Sequence, residues 1–365
     1  MAKDFETMED SNRSSNPSIH EVSDPARRLV LRVGTGLAAS SFFGTLAGCA
    51  SSTPSGPVED RPATASAALG FTGIPASSAD RVTVPSGYTA VPLLPWGEPV
   101  GIAGNMPPWK ADASNTAAEQ AAQMGQHHDG LHFYPLAADG QRGLLVMNHE
   151  YTDDGLLHTD GMKTWSAEKV RKAQNAHGVS VTEWRFEGGA WRMVRPSAYA
   201  RRFTAASPFA VGGPAAGHPL MRTAADPSGR LVLGTLNNCA SGMTPWGTYL
   251  SGEENWGFYF SAGKTPDAHQ RRWGLPENGF YRWAEHDERF NAAKHPNEPN
   301  RFGWVVEIDP MDPTSMPVKR TALGRAAHEG AWVAITKDGR AVVYSGEDAR
   351  FEYLYRFVSR DRIAP

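Results

Sequence analysis

The chain has 365 residues, of which 40% are hydrophobic and 21% charged, and its net charge is −3. That is enough apolar sequence for a sizeable core, and the near-neutral balance gives no sign of a polybasic surface for nucleic acid or anionic lipid. With 37 Gly, 27 Pro, 11 Trp and 10 Tyr, the composition favours many turns and short, aromatic-rich strands.

Residues 1–26 are a polar leader. Arg27-Arg28 then opens an apolar segment, Val33 to Leu46, that ends in the lipobox Leu46-Ala47-Gly48-Cys49. Paired arginines ahead of a short hydrophobic run are an address for the bacterial exporter of folded proteins. The segment is too short and too rich in Gly, Ala and Ser to span a bilayer, so it reads as a cleaved signal. Cys49 is expected to become the lipidated first residue of the mature chain, the alternative being plain cleavage of the signal without lipid. The expected partners are therefore the twin-arginine export machinery and a membrane touched only through that lipid. The expected location is the periplasm or cell surface. Proteins exported folded often carry a cofactor loaded beforehand, which favours a metal or redox site.

Residues 50–69 are rich in Ser, Pro and Ala and read as a tether, leaving 70–365 as the folded domain. Val82 to Pro85 and Tyr88 to Leu93 read as the first strand region, and Ala111 to Gly125 as a helix facing a His-rich loop, Gln126 to Gly130. Val181 to Phe186 and Ala190 to Val194 alternate around Gly188-Gly189, the pattern of a hairpin. Further strands are expected at Arg230 to Gly234, Gly247 to Ser251 and Phe302 to Ile308. Ala331 to Thr336 and Ala341 to Tyr344 form another hairpin around Lys337-Asp338-Gly339, and Phe351 to Val358 a last strand. Short antiparallel strands at this spacing fit a sandwich or a propeller. An internal echo favours the propeller: Tyr249-Leu250-Ser251-Gly252-Glu253-Glu254 matches Val343-Tyr344-Ser345-Gly346-Glu347-Asp348. Equivalent strand ends of two blades point at one axis, and carboxylates converging there need a cation.

Of the two cysteines, Cys49 belongs to the lipobox and Cys239 stands alone, either as a buried apolar thiol or as a ligand. Acids and histidines recur beside glycine after strands, at His149-Glu150, Glu253-Glu254, Glu307, His328-Glu329 and Glu347-Asp348. Carboxylates suit calcium or ferric iron, and a thiolate among them suits iron better than calcium. No HExxH, CxxC or nucleophile elbow occurs, which excludes the common zinc proteases and serine hydrolases.

The runs Asn148 to Tyr151, Thr235 to Asn255, Arg301 to Pro310, Lys319 to Arg325, His328 to Ala331 and Tyr344 to Asp348 together resemble the PhoX-type bacterial alkaline phosphatases over roughly residues 80–359. The resemblance implies an all-β fold, a β-propeller that is six-bladed in the full-length parent and incomplete in this C-terminally truncated chain. It implies an enzyme that hydrolyses phosphate monoesters; apart from the resemblance, the chain is expected to be a monomer. Its cofactor is a cluster of iron and calcium joined by an oxo bridge, and a metal-bound oxo or hydroxo group serves as nucleophile in place of Ser or Cys. Cys239 is carried over as an iron ligand, Glu253 and Glu254 as ligands, and Glu150, Glu329, Glu347 and Asp348 as further ones. Arg325 is read as a phosphate clamp, His328 as a group orienting Glu329, and Glu307 as a strand acid without a metal role. Full activity is expected of the longer parent. The alternatives from other classes are a non-catalytic propeller lipoprotein that binds a partner or calcium, and a calcium-dependent, lactonase-like hydrolase.

Overall fold

The computed structural model describes residues 71–349 and 352–363. Arg27, Arg28, Cys49 and the whole of the expected tether lie outside the described residues. The chain divides into two compact units at Pro92 and Leu93. The described part of the first contains no strand, so Val82 to Leu93 is not the strand that its alternation suggested. Pro85 and Pro92 interrupt that stretch and remove the donors a ladder needs.

The second unit is mostly β and holds three sheets. The first comprises β1 (His128–Pro135), β2 (Arg142–His149), β3 (Gly178–Glu187), β4 (Ala190–Met193) and β5 (Arg201–Phe203), in the order β1-β2-β3-β4 with β5 also on β3. The second comprises β6 (Pro208–Gly212), β7 (Leu231–Leu233), β8 (Asn238–Met243), β9 (Tyr249–Glu253), β10 (Val305–Ile308) and β11 (Val318–Arg320), in the order β7-β6-β11-β10-β9-β8. The third is β12 (His328–Ile335), β13 (Arg340–Glu347) and β14 (Tyr355–Arg362), in chain order. Pairing is antiparallel throughout except between β6 and β11. The expected hairpins at Gly188-Gly189 and at Lys337-Asp338-Gly339 form as β3–β4 and β12–β13. The described residues form no closed ring of blades; the coarse expectation of an all-β fold is what the sheets bear out.

The His-rich stretch is a loop only at Gln126 and His127, because β1 starts at His128, and within 111–125 only Ala117–Gln120 is α-helical. One ten-residue helix, Ala167–Ala176, is capped by Ser166, which accepts from Lys169 N, and buries Val170, Ala173 and Ala176. The largest core cluster lies around Trp256, Tyr259, Trp283, Phe290 and Phe302. A second packs Val146, Val179 and Val181 of the first sheet against Phe209, Tyr249, Val306 and Ile308 of the second.

Glycine lets the sheets meet backbone to backbone. A Cβ at Gly130 would lie 2.7 Å from Ser241 N, and one at Gly242 would lie 1.9 Å from Ala331 O. These close approaches hold β1 against β8, and β8 against β12, at the end where the acidic residues gather.

Candidate metal centre

Each sheet contributes one antiparallel hairpin in the same way. The pairs His128↔His149, Asn238↔Glu253 and His328↔Glu347 close the open ends of β1–β2, β8–β9 and β12–β13. In each hairpin the ladder is irregular just beyond, at His128/Leu131, Asn238/Ser241 and Glu329/Trp332. Such bulges re-aim side chains at strand ends. The residues that follow each pair are Asp129 and Glu150, Cys239 and Glu254, and Glu329 and Asp348.

These side chains converge. Donor atoms of Asp129, Glu150 and Cys239 lie within 4.8 Å of one another, as do those of Cys239, Glu254 and Glu329. Cys239 Sγ is 3.4 Å from Glu329 Oε2. Asp348 reaches the same cluster through Glu254. Burial, then the adjoining Asp129, pushes the Glu150 carboxyl up to about 7. Burial, then Asp348 and Glu329, pushes Glu254 up to about 9. Burial and Asp129 also push the Cys239 thiol up. Among the described residues no Lys or Arg forms an ion pair with any of these acids. Five carboxylates and a thiol gathered without a counter-charge are costly, and a multivalent cation removes that cost. The donors present therefore fit metal ions, with hard oxygens for calcium and a thiolate that favours iron.

Neighbouring side chains fix the donors from behind. The Asn148 amide donates to the Cys239 carbonyl, tying β2 to β8. The Tyr249 hydroxyl lies 2.7 Å from Gly130 O and 2.9 Å from Asn148 Oδ1. Beside the centre opens a cavity of about 450 Å³, bounded by Glu254, Glu347, Asp348, Trp256, Phe258, Arg272 and Trp273.

A family profile described as "Alkaline phosphatase PhoX" matches residues 69–365. The chain belongs to the PhoX alkaline phosphatase family. It is also similar to the solved structure of Pseudomonas fluorescens PhoX in complex with vanadate, a transition-state analogue. Identity there is 47% and the TM-score 0.78, over 80% of this chain and 51% of that one. The chain thus spans about half the length of that structure. No curated protein matches it.

Of the residues read from the sequence, Cys239, Glu254, Glu150, Glu329 and Asp348 come together. Glu253 does not. Its Oε1 accepts from Thr235 Oγ1, Leu236 N and Lys319 Nζ, and its Oε2 from Gly303 N and Trp304 N. Both it and Lys319 are 0% exposed, so this carboxylate is spent on the core and has no lone pair to offer a metal. Glu347 stands in the equivalent register position, accepts from Ala327 N and stays outside the converging groups. The reason is strand geometry: successive side chains take opposite faces, so only the second acid of Glu253-Glu254 and of Glu347-Asp348 turns to the centre.

Arg325 is no phosphate clamp. Its guanidinium donates to Phe302 O and Pro299 O and lies between the Trp256 and Trp273 rings, 4.1 and 4.8 Å from their centroids. His328 bonds Ser345 Oγ and Gly324 O, and so anchors β12 without touching the Glu329 carboxylate. Glu307 pairs with Arg320 and accepts from Trp246 Nε1, apart from the converging groups. Asp129 is the residue that sequence reasoning missed. Its signal was present in the His127-His128-Asp129-Gly130 run, but the run looked like a loop until β1 was seen to start inside it.

Proposed function

We propose that this chain carries the metal centre of a phosphate-monoester hydrolase, with Asp129, Glu150, Cys239, Glu254, Glu329 and Asp348 holding iron and calcium. The observation that carries this reading is the convergence of a thiol and several carboxylates with no counter-charge. Family membership and the likeness to a vanadate-bound relative support the phosphoryl chemistry.

When bound, the cations supply the positive charge that a dianionic monoester needs around its phosphoryl and leaving oxygens. The residues set the stage for this. The raised carboxyls of Glu150 and Glu254 hold their protons near neutral pH without metal and release them on loading, so uptake of metal strengthens as pH rises. The backbone-clamped Cys239 offers its sulfur from a fixed strand end. The adjoining cavity, walled by Trp256, Phe258 and Trp273, admits the organic part of the ester.

The fold reading that goes with this is a propeller. It is supported by three hairpins from three sheets offering the same register position to one centre. A purely calcium-dependent hydrolase or binding module has no use for the thiol among the donors. Export by the twin-arginine route through Arg27-Arg28, and anchoring through lipidated Cys49, complete the reading; the order of charge, apolar segment and lipobox supports them. Loss of membrane association in Cys49→Ala would test the anchor.

The central test is elemental analysis of the purified chain and of Cys239→Ser, with p-nitrophenyl phosphate hydrolysis measured alongside. Iron and calcium in the parent, and iron lost in the variant, are expected. Calcium without iron would overturn the iron assignment in favour of the calcium-dependent hydrolase. Absence of metal from the folded parent would overturn the centre itself.

A further inference from the structure

We infer that Asn237, held by a buried Tyr259–His177 relay, is a positioning residue that sets the spacing between the Cys239 and Glu254 donors. The inference rests on the metal-centre reading above.

Asn237 is 3% exposed and has a φ of 48°, in the left-handed region that Asn tolerates better than most residues. It sits two residues before Cys239 and grips the other strand of the hairpin twice. Its carbonyl accepts from Glu254 N at 3.0 Å, and its side-chain Oδ1 accepts from Asn255 N at 2.6 Å. One residue therefore holds the backbone that leads into one donor and the backbone that bears the other.

The orientation of its amide is fixed by a chain of bonds whose polarity allows one solution. His177 Nδ1 lies 2.6 Å from Ala173 O, which can only accept, so Nδ1 carries the proton. Burial keeps this ring neutral, so Nε2 is bare and accepts from the Tyr259 hydroxyl at 2.9 Å. Tyr259 has then used its only hydrogen, and its oxygen accepts from Asn237 Nδ2 at 3.3 Å. With Nδ2 directed at Tyr259, Oδ1 must face Asn255 N. Tyr259 is in turn fixed by stacking on Tyr281, with centroids 4.3 Å apart and rings 5° from parallel. A helix carbonyl thus sets the side chain at the metal hairpin through three rigid links. Nothing in this relay touches the metal-facing atoms, so its effect is on where they stand.

The test is titration of the metal-free chain with cobalt(II), whose thiolate charge-transfer absorption reports on Cys239. Tyr259→Phe breaks the relay and Asn237→Gly keeps the left-handed backbone while losing the side-chain bonds. Val181→Ala, in the core of the first sheet, serves as a destabilised control away from the relay. Outer-shell positioning partners are worth about 10–100-fold in metal affinity. Both relay variants are expected to lose cobalt affinity in that range, and the control to keep it at comparable loss of urea stability. Relay variants that bind cobalt as tightly as the control would overturn the inference while leaving the metal centre standing. A folded parent that takes up no cobalt and no iron would sink the metal-centre reading and this inference with it.

Discussion

Two adjacent glutamates with opposite fates give the sharpest prediction. Glu253→Gln replaces a carboxylate surrounded by five donors with an amide that itself donates. Whichever way the amide turns, its NH2 faces at least two donors. Lys319, 2.7 Å away and fully buried, is left without its counter-charge. Burial already pushes the Lys319 ammonium down to about 8 with Glu253 beside it, so without that partner it sheds its proton or disrupts the site. Breaking one side of a buried pair costs about 3–5 kcal/mol, a large share of the roughly 5–15 kcal/mol that holds a domain together. Glu254→Gln removes a carboxyl crowded by Asp348 and Glu329 and should leave the metal-free chain as stable as the parent or more so. The assay is urea unfolding of the metal-free protein together with metal content of whatever remains folded. Glu253→Gln should lose stability and keep its metal, whereas Glu254→Gln should keep its stability and lose metal. A Glu253→Gln protein that unfolds within about 1 kcal/mol of the parent but binds no metal would refute the division of labour between the two.

Lys319→Met and Glu253→Gln should be non-additive: a double-mutant cycle in urea is expected to give a coupling of about 0.5–3 kcal/mol, and an additive cycle would contradict a direct pair. Acid should weaken the fold through His177, whose pKa is lowered from 6.5 to about 4 by burial. The unfolded chain takes up the proton first, so stability is full above pH 6.5 and falls as pH drops towards 4, by about 3 kcal/mol. His177→Gln should flatten the dependence of the urea midpoint on pH between 7 and 4.5, and an unchanged slope would assign that loss to other groups. Gly242→Ala puts a methyl 1.9 Å from Ala331 O and should cost at least about 1–3 kcal/mol in thermal or urea unfolding. A parent-like midpoint there would mean that β8 and β12 do not meet backbone to backbone.

The sequence by itself determined the kind of chemistry. A lone Cys239 among strand-end acids, and the echo of Ser-Gly followed by two acids, are local patterns that alternation and composition make legible. The hairpins at Gly188-Gly189 and Lys337-Asp338-Gly339 were equally plain, because turn residues and period-two alternation are encoded within a few positions. What only the tertiary structure decided was which residue of each pair faces the converging groups. Glu253 and Glu254 are chemically identical in the sequence. One meets Lys319, 66 residues later, and the other meets Glu329 and Asp348 from another sheet. Asp129 was hidden for the same reason, since its role depends on Gly130 letting β1 close on Ser241. Arg325 looked like a clamp until two distant indoles enclosed it. Residue type sets what a side chain can do, but the partners that satisfy or strand its charge come from remote strands, and sheet packing alone brings them there.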